Sequence, residues 1–363
     1  MKSRYKMLCL GLLVAGIALL QWVLSNQENI FNAYSNFFYV PFQNFRNQLF
    51  YATPTSIGDI FYASLFLSII CVIIFKLYLL LKKQYTWRVS LSQFLNFLMG
   101  LAFMYLFFIL SWGANYNKKP LSKQLHLATP NGKVAYTNML LQFDSLLVAQ
   151  LNMLAPQLKP LTYSQINLIA AKAYSTQIAA PYLFAHPCVK QSLLSTILQK
   201  MGIEGYYNPF TGEAQVSTAM PACIMPFVLC HEMAHQYGIA AEDDANLLAY
   251  IMCQQSQHPA FAYAAYLDTW CYVHYRLLHR APQKAQFWAS KLNHLTLAHI
   301  HALEQQRKLF DNIYGHLSSN LYDAYLKMNH QKDGLKTYGN ITTWAWAWQQ
   351  QYGNQTNLKI NLP

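Results

Sequence analysis

Three long, predominantly apolar runs in the first third of the chain, residues 7–24, 60–81 and 94–112, set the strongest limit on what it can fold into. A helix gains only ~1.5 Å per residue, so about 20 apolar residues are needed to cross the hydrocarbon core of a bilayer. Inside lipid every backbone amide must be satisfied within its own segment, which leaves a helix as the form these runs can take. Composition agrees: 54% of residues are hydrophobic and 11% are charged, less than half the ~25% charge of ordinary soluble domains. The expected organisation is a membrane anchor over residues 1–113 and one globular domain over 114–363.

The first run follows Lys2, Arg4 and Lys6 and is not followed by a small-x-small cleavage pattern, so an uncleaved anchor is expected. Lys76, near the end of the second run, can extend its ammonium to the headgroups. Lys82, Lys83 and Arg88 lie between the second and third runs, whereas the first connection carries only Arg46. The positive-inside rule then places the N-terminus in the cytoplasm and everything after Trp112 outside it. Lys118, Lys119 and Lys123 oppose this bias without reversing it. The expected location is a cytoplasmic membrane, multi-pass, with the domain on the extracytoplasmic side. The aromatic-rich stretch 31–51 reads either as an interfacial segment or as an ordinary loop.

A net charge of +12 would suit a nucleic-acid partner, but the basic residues are scattered and no nucleic-acid signature is present, so that class is set aside. Of the seven cysteines, Cys188, Cys223, Cys230, Cys253 and Cys271 fall in the expected domain. None forms a CxxC pair, so neither a disulfide framework nor a cysteine-rich zinc site is indicated, although one or two disulfides stay open. Amphipathic helices are predicted over 134–154, 163–175, 192–201 and 287–310. Residues 202–207 and 213–217 read as short strands around the turn Asn208-Pro209-Phe210-Thr211-Gly212. The fold class is therefore mainly α with a small β-element (α+β).

The chemistry concentrates in PFVLCHEMAHQYGIAAEDDANLLAY, residues 226–250. Residues four apart share one face of a helix, so His231 and His235 can offer imidazole nitrogens to one ion, expected to be Zn2+. Glu232 projects beside them, where a carboxylate can take a proton from a zinc-activated water and pass it to a leaving amine. Phe227, Val228, Leu229, Cys230, Met233 and Ala234 make the surroundings apolar, and burying three polar side chains there is costly unless a metal satisfies them. Gly238 suits a helix stop with positive φ. A second helix is predicted from about Ala241, and a chain reversal would bring Glu242 back as third metal ligand, with Asp244 as the alternative. Asn246, one turn further on, would brace a ligand histidine. Asp243 fits the complement of a helix N-terminus.

Glu242-x-x-Ala245-Asn246 after HExxH resembles the gluzincin pattern, although in most gluzincins the two parts lie further apart. The glycine three residues past the second histidine resembles the metzincin turn, whose third ligand is a histidine. The whole chain resembles an uncharacterised bacterial family of membrane-anchored zinc-peptidase-like proteins, domain of unknown function 3810. The resemblance rests on Pro54-Thr55-Ser56-Ile57-Gly58-Asp59, Trp112-Gly113-Ala114-Asn115-Tyr116, residues 205–213 (GYYNPFTGE), the HExxH segment, and Gly334-Leu335-Lys336-Thr337-Tyr338-Gly339. It implies a zincin-like domain and peptidase activity without naming a substrate. Asp244 stands where the related EDEAN pattern has glutamate.

Residues 213–217 are a candidate strand for aligning a substrate backbone, with simple packing the alternative. Tyr338 is a candidate oxyanion stabiliser. His274, His279, His294, His299 and His301 read as surface or core histidines, and Trp344, Trp346 and Trp348 as packing residues. The expected protein is a membrane-anchored zinc metallopeptidase acting on a peptide or protein, a membrane or cell-envelope protein among the possibilities. The alternative is a non-catalytic membrane-tethered binding or signalling protein with a structural zinc. A transporter would need polar residues inside its spans, and an intramembrane protease would need HExxH within one.

Overall fold

The computed structural model describes residues 2–82, 87–182, 184, 186–329, 331–353, 355 and 358–362. Lys83, one of the residues used to orient the chain, lies outside the described residues. The chain divides into two compact units: residues 1–117 together with 208–213, and residues 118–207 together with 214–363.

The first unit contains α1 (Lys2–Asn26), α2 (Glu28–Tyr34), a π-helical turn (Ser35–Tyr39), α3 (Val40–Tyr51), α4 (Ile57–Leu81) and α5 (Trp87–Ser111). Three of these helices, Ser3–Asn26, Ile57–Leu81 and Leu91–Ser111, are long and apolar enough to cross a membrane, with mean hydropathies of 2.3, 2.6 and 2.1. Their large side chains point outward: Leu12, Phe66, Ile74 and Phe103 are each at least 60% exposed, as a lipid-facing surface requires. Ile17, Leu24, Phe31, Ile109 and Ala114 form a small core in this unit. Residues 31–51 are helical rather than a loop. Arg46 on α3 is buried, and donates from Nη1 to the carbonyl of Pro209 at 2.7 Å and from Nη2 to that of Ser111 at 3.1 Å. Gln43 donates to the Gly212 carbonyl at 2.8 Å, and Glu213 accepts the Gly58 amide at 2.6 Å. The turn 208–213 is thus held through its backbone by side chains of its own unit, and Arg46 works there as a structural donor.

The second unit contains α6 (Leu121–Gln124), α7 (Lys133–Leu154), α8 (Tyr163–Gln177), β1 (Val189–Gln191), α9 (Ser195–Lys200), β2 (Gly205–Tyr207), β3 (Ala214–Val216), α10 (Met225–Gln236) and α11 (Glu242–Gln255). It continues through α12 (Pro259–Leu278), α13 (Pro282–Ala289), α14 (His294–Phe310), α15 (Ile313–Met328), the 3-10 turn Gly334–Asn340 and α16 (Ile341–Tyr352). The mostly helical reading holds. Residues 287–310 are two helices, because Asn293 caps α14 by accepting the Thr296 amide and so breaks the run. The predicted helix 192–201 is shorter and follows a strand, β1, that its sequence did not suggest.

The sheet order is β1-β3-β2, with β1 parallel and β2 antiparallel to β3. The central strand β3 lies within residues 213–217, so both of its edges are occupied and it cannot pair with a peptide. Of the two roles open to it, packing is the one this topology leaves. The sheet packs on α10, which with α11 and α12 forms the centre of the unit; Leu229, Met233, Leu247, Ile251, Ala264 and Leu267 are wholly buried. All seven cysteines are free thiols. Trp348 is buried in α16, His274 stacks on Trp270, and His299 bonds the Tyr263 hydroxyl at 2.7 Å.

Candidate metal centre

Helix α10 carries His231, Glu232 and His235, and Pro226 in its first turn fits a position whose amide has no helical acceptor. Every residue of α10 is buried, and the two histidines, four apart, project from one face. The helix stops where the sequence predicts. Gly238 has φ +79°, its amide bonds the His235 carbonyl, and the Ile239 amide bonds the Ala234 carbonyl, the paired bonds of a Schellman stop. The chain then reverses and α11 begins at Glu242.

That reversal brings Glu242 to the histidines. Its Oε2 lies 3.1 Å from His231 Nε2 and 3.7 Å from His235 Nε2. Zinc ligands at ~2.0–2.1 Å from a tetrahedral ion are separated by ~3.3 Å, so these spacings fit one metal centre. All three ligand atoms lie within 4.8 Å of one another, and among the described residues this is the one group of three or more that could hold a metal ion.

Each ligand is fixed from behind. His231 Nδ1 contacts Asn246 Oδ1 at 2.8 Å, and His235 Nδ1 contacts the Ile239 carbonyl at 2.6 Å. Both acceptors demand a proton on Nδ1, which leaves the Nε2 lone pairs directed at Glu242. Tyr322 on α15 donates to Glu242 Oε1 at 2.5 Å, so Oε2 is the oxygen left for a cation. Oε2 is buried with the two Nε2 atoms as its polar neighbours and, among the described residues, no other hydrogen-bond partner, a crowding that a metal would relieve. Burial alone would raise the Glu242 pKa, but the two imidazoles outweigh it and hold the carboxyl well below its usual range. Asp244 faces away and accepts the Leu121 amide at 2.9 Å. Asp243 accepts the Asp244 amide and the Asn340 side-chain amide.

Glu232 is 5% exposed, and among the described residues its Oε2 has no hydrogen-bond partner. Burial raises its pKa to about 7; His231 and His235 oppose that rise, while Glu242 and Glu204 add to it. A carboxyl near neutrality can both accept and return a proton at neutral pH. Glycine at 205 makes room for it, since a Cβ there would sit 2.5 Å from Glu232 Oε1. Tyr338 lies with its ring stacked on that of His231, centroids 6.2 Å apart. Its phenol is held well above its usual pKa, by burial first and then by the Glu242 charge.

Sequence reasoning did not single out Tyr322, Gly205 or the Ile239 carbonyl. Gly205 stood within a quoted family segment, which was the available signal. Glu204 and Asp268 also come close to His231; burial raises both, each opposes ionisation of nearby acids, and Arg307 offsets part of this.

Fold and site together define a protein with three helices apolar enough to span a membrane and a buried His-His-Glu cluster of metal-binding geometry. The chain matches, over residues 34–346, the family model described as protein of unknown function (DUF3810), and it belongs to that family. No curated protein and no solved structure matches it.

Proposed function

We propose that the protein is a membrane-anchored zinc metallopeptidase. The observation that carries this reading is Glu232, a buried carboxylate with an unpartnered oxygen next to a three-ligand cluster. A purely structural zinc site has no need of such a group. His231, His235 and Glu242 would hold zinc, which when bound supplies Lewis acidity to polarise a scissile carbonyl and acidify the attacking water. Glu232 takes the proton of that water and delivers it to the leaving amine. Tyr338, protonated at neutral pH, is the donor assigned to negative charge developing on the carbonyl oxygen.

The test is hydrolysis of a peptide library by the zinc-loaded full-length chain in detergent, read by mass spectrometry beside Glu232→Gln. Cleavage by the wild type and its loss in a variant that keeps its zinc is expected. Equal cleavage by both, or none by a zinc-loaded wild type, overturns the reading and leaves a tethered binding protein with a structural zinc. The charge bias of the N-terminal connections supports a position for the domain on the extracytoplasmic side of a bacterial inner membrane, where membrane or cell-envelope proteins would be substrates. A C-terminal alkaline phosphatase fusion should then be active, and an inactive fusion would reverse the orientation.

A further inference from the structure

A cleft of about 600 Å3 opens in the second unit between the first turn of α7 and the last turns of α12. Four side chains that carry or can acquire positive charge line it: Lys133, Arg276, His279 and Arg280. No acidic residue does. Among the described residues, none of the four has a carboxylate within ion-pair distance. The chain has 26 Lys and Arg against 14 Asp and Glu, so single unpaired cations are expected on its surface. Convergence on one cleft is different: Arg276 near the end of α12, His279 and Arg280 in the turn that follows it, and Lys133 at the start of α7 all line the same space, and like charges brought together repel one another.

The two guanidiniums are also held in place. Arg276 Nη1 donates to the Tyr136 hydroxyl at 2.5 Å and to Thr342 Oγ1 at 3.2 Å. The Arg280 guanidinium lies over the ring of the same tyrosine, 4.8 Å from its centroid. Guanidiniums fixed before a ligand arrives lose less freedom on binding it. Gly132 and Lys133, which open α7, line the same cleft. Gly132 supplies no side-chain cap and the first turn has no acidic residue, so the positive end of a 22-residue helix comes to the cleft without a complementing group from its own turn.

We propose that this cleft binds a phosphate group, held by Arg276, Arg280, Lys133 and the first-turn amides of α7. A carboxylate would neutralise one charge and leave at least two cations opposed. A tetrahedral dianion offers enough oxygens and charge for all of them. The proposal is independent of the metal centre. The phosphate can belong to a soluble compound or to a lipid headgroup, and these sources differ in the test.

The experiment is calorimetric titration of inorganic phosphate into the full-length chain in a neutral detergent. EDTA is present so that no metal centre contributes, and acetate serves as control. One site saturating below millimolar phosphate is expected, insensitive to acetate and weakened at least tenfold in the exposed double variant Lys133→Gln/Arg280→Gln with its melting temperature unchanged. Absence of saturable binding to the wild type, or equal binding by the folded double variant, overturns the proposal. A second arm titrates dihexanoyl phosphatidic acid in the same way: binding tighter than inorganic phosphate assigns the site to a lipid headgroup, and weaker or no binding assigns it to a soluble phosphate.

Discussion

Replacing Glu242 by glutamine tests the metal centre with the smallest change in shape. The amide keeps an oxygen for Tyr322 but removes the charge and the free carboxylate oxygen that faces His231 and His235 at 3.1 and 3.7 Å. A cation that binds the folded chain at a free concentration 1,000 times its dissociation constant stabilises it by about 4 kcal/mol. For a unit of this size, ~2–4 °C of melting temperature per kcal/mol makes that about 8–16 °C. Wild-type protein stripped with EDTA and resupplied with zinc should show a shift of that order, with about one zinc per chain. Glu242→Gln should show neither. The assay is thermal melting followed by circular dichroism in detergent, with zinc measured on the same samples. A zinc-induced shift in Glu242→Gln as large as in the wild type would refute the argument, because Glu242 is the carboxylate that lies within 4 Å of both Nε2 atoms.

The braces behind the ligands should matter next: Asn246→Ala and Tyr322→Phe are each expected to weaken zinc about 10–100-fold, measured by chelator competition, and unchanged affinity would show the contacts to be incidental. Gly205→Ala would place a methyl 2.5 Å from Glu232 Oε1, and a displacement near 1 Å should lower any peptidase rate by about 100-fold while zinc content stays at the wild-type level. Asp144 is wholly buried and its pKa is raised to about 7 by burial, with the nearby Trp270 indole opposing. An unfolded Asp ionises near ~3.9, so the stability carried by the neutral carboxyl is complete below about pH 4 and is lost as pH rises through 7. Asp144→Asn should therefore flatten the pH dependence and gain up to about 4 kcal/mol over the wild type at pH 8; urea melts at pH 5 and pH 8 with equal wild-type and variant differences would contradict this. His274, whose pKa burial lowers, lies 4.0 Å from Asp144, so near pH 7 both groups are pushed toward their neutral forms rather than toward an ion pair.

The three residues of the candidate metal cluster could be picked out because their geometry is local. His231 and His235 share a helix face by spacing alone, and Gly238 marks the reversal that places Glu242 within 11 residues of His231. The choice between Glu242 and Asp244 was not legible, since it depends on the Leu121 amide, more than a hundred residues away, which engages Asp244. Tyr322 was hidden for the same reason: it is one of 26 tyrosines, and only the packing of α15 brings it to Glu242. The apolar spans were readable from length, whereas residues 31–51 were obscured by aromatic residues that suit an interface as well as a helix. Strand β1 has three residues, too few for alternation to register.

The bonds that steady the two histidines also fix a proton inventory. With both Nδ1 atoms committed to the Asn246 oxygen and the Ile239 carbonyl, two Nε2 lone pairs and one carboxylate oxygen meet at a single buried point. Three electron-rich atoms cannot face one another there uncompensated. Although burial works against it, the charge of Glu242 raises the His235 pKa to about 9, so a proton and a metal ion compete for the same place. The cluster therefore draws positive charge of either kind, and its hold on a metal ion should weaken as the pH falls.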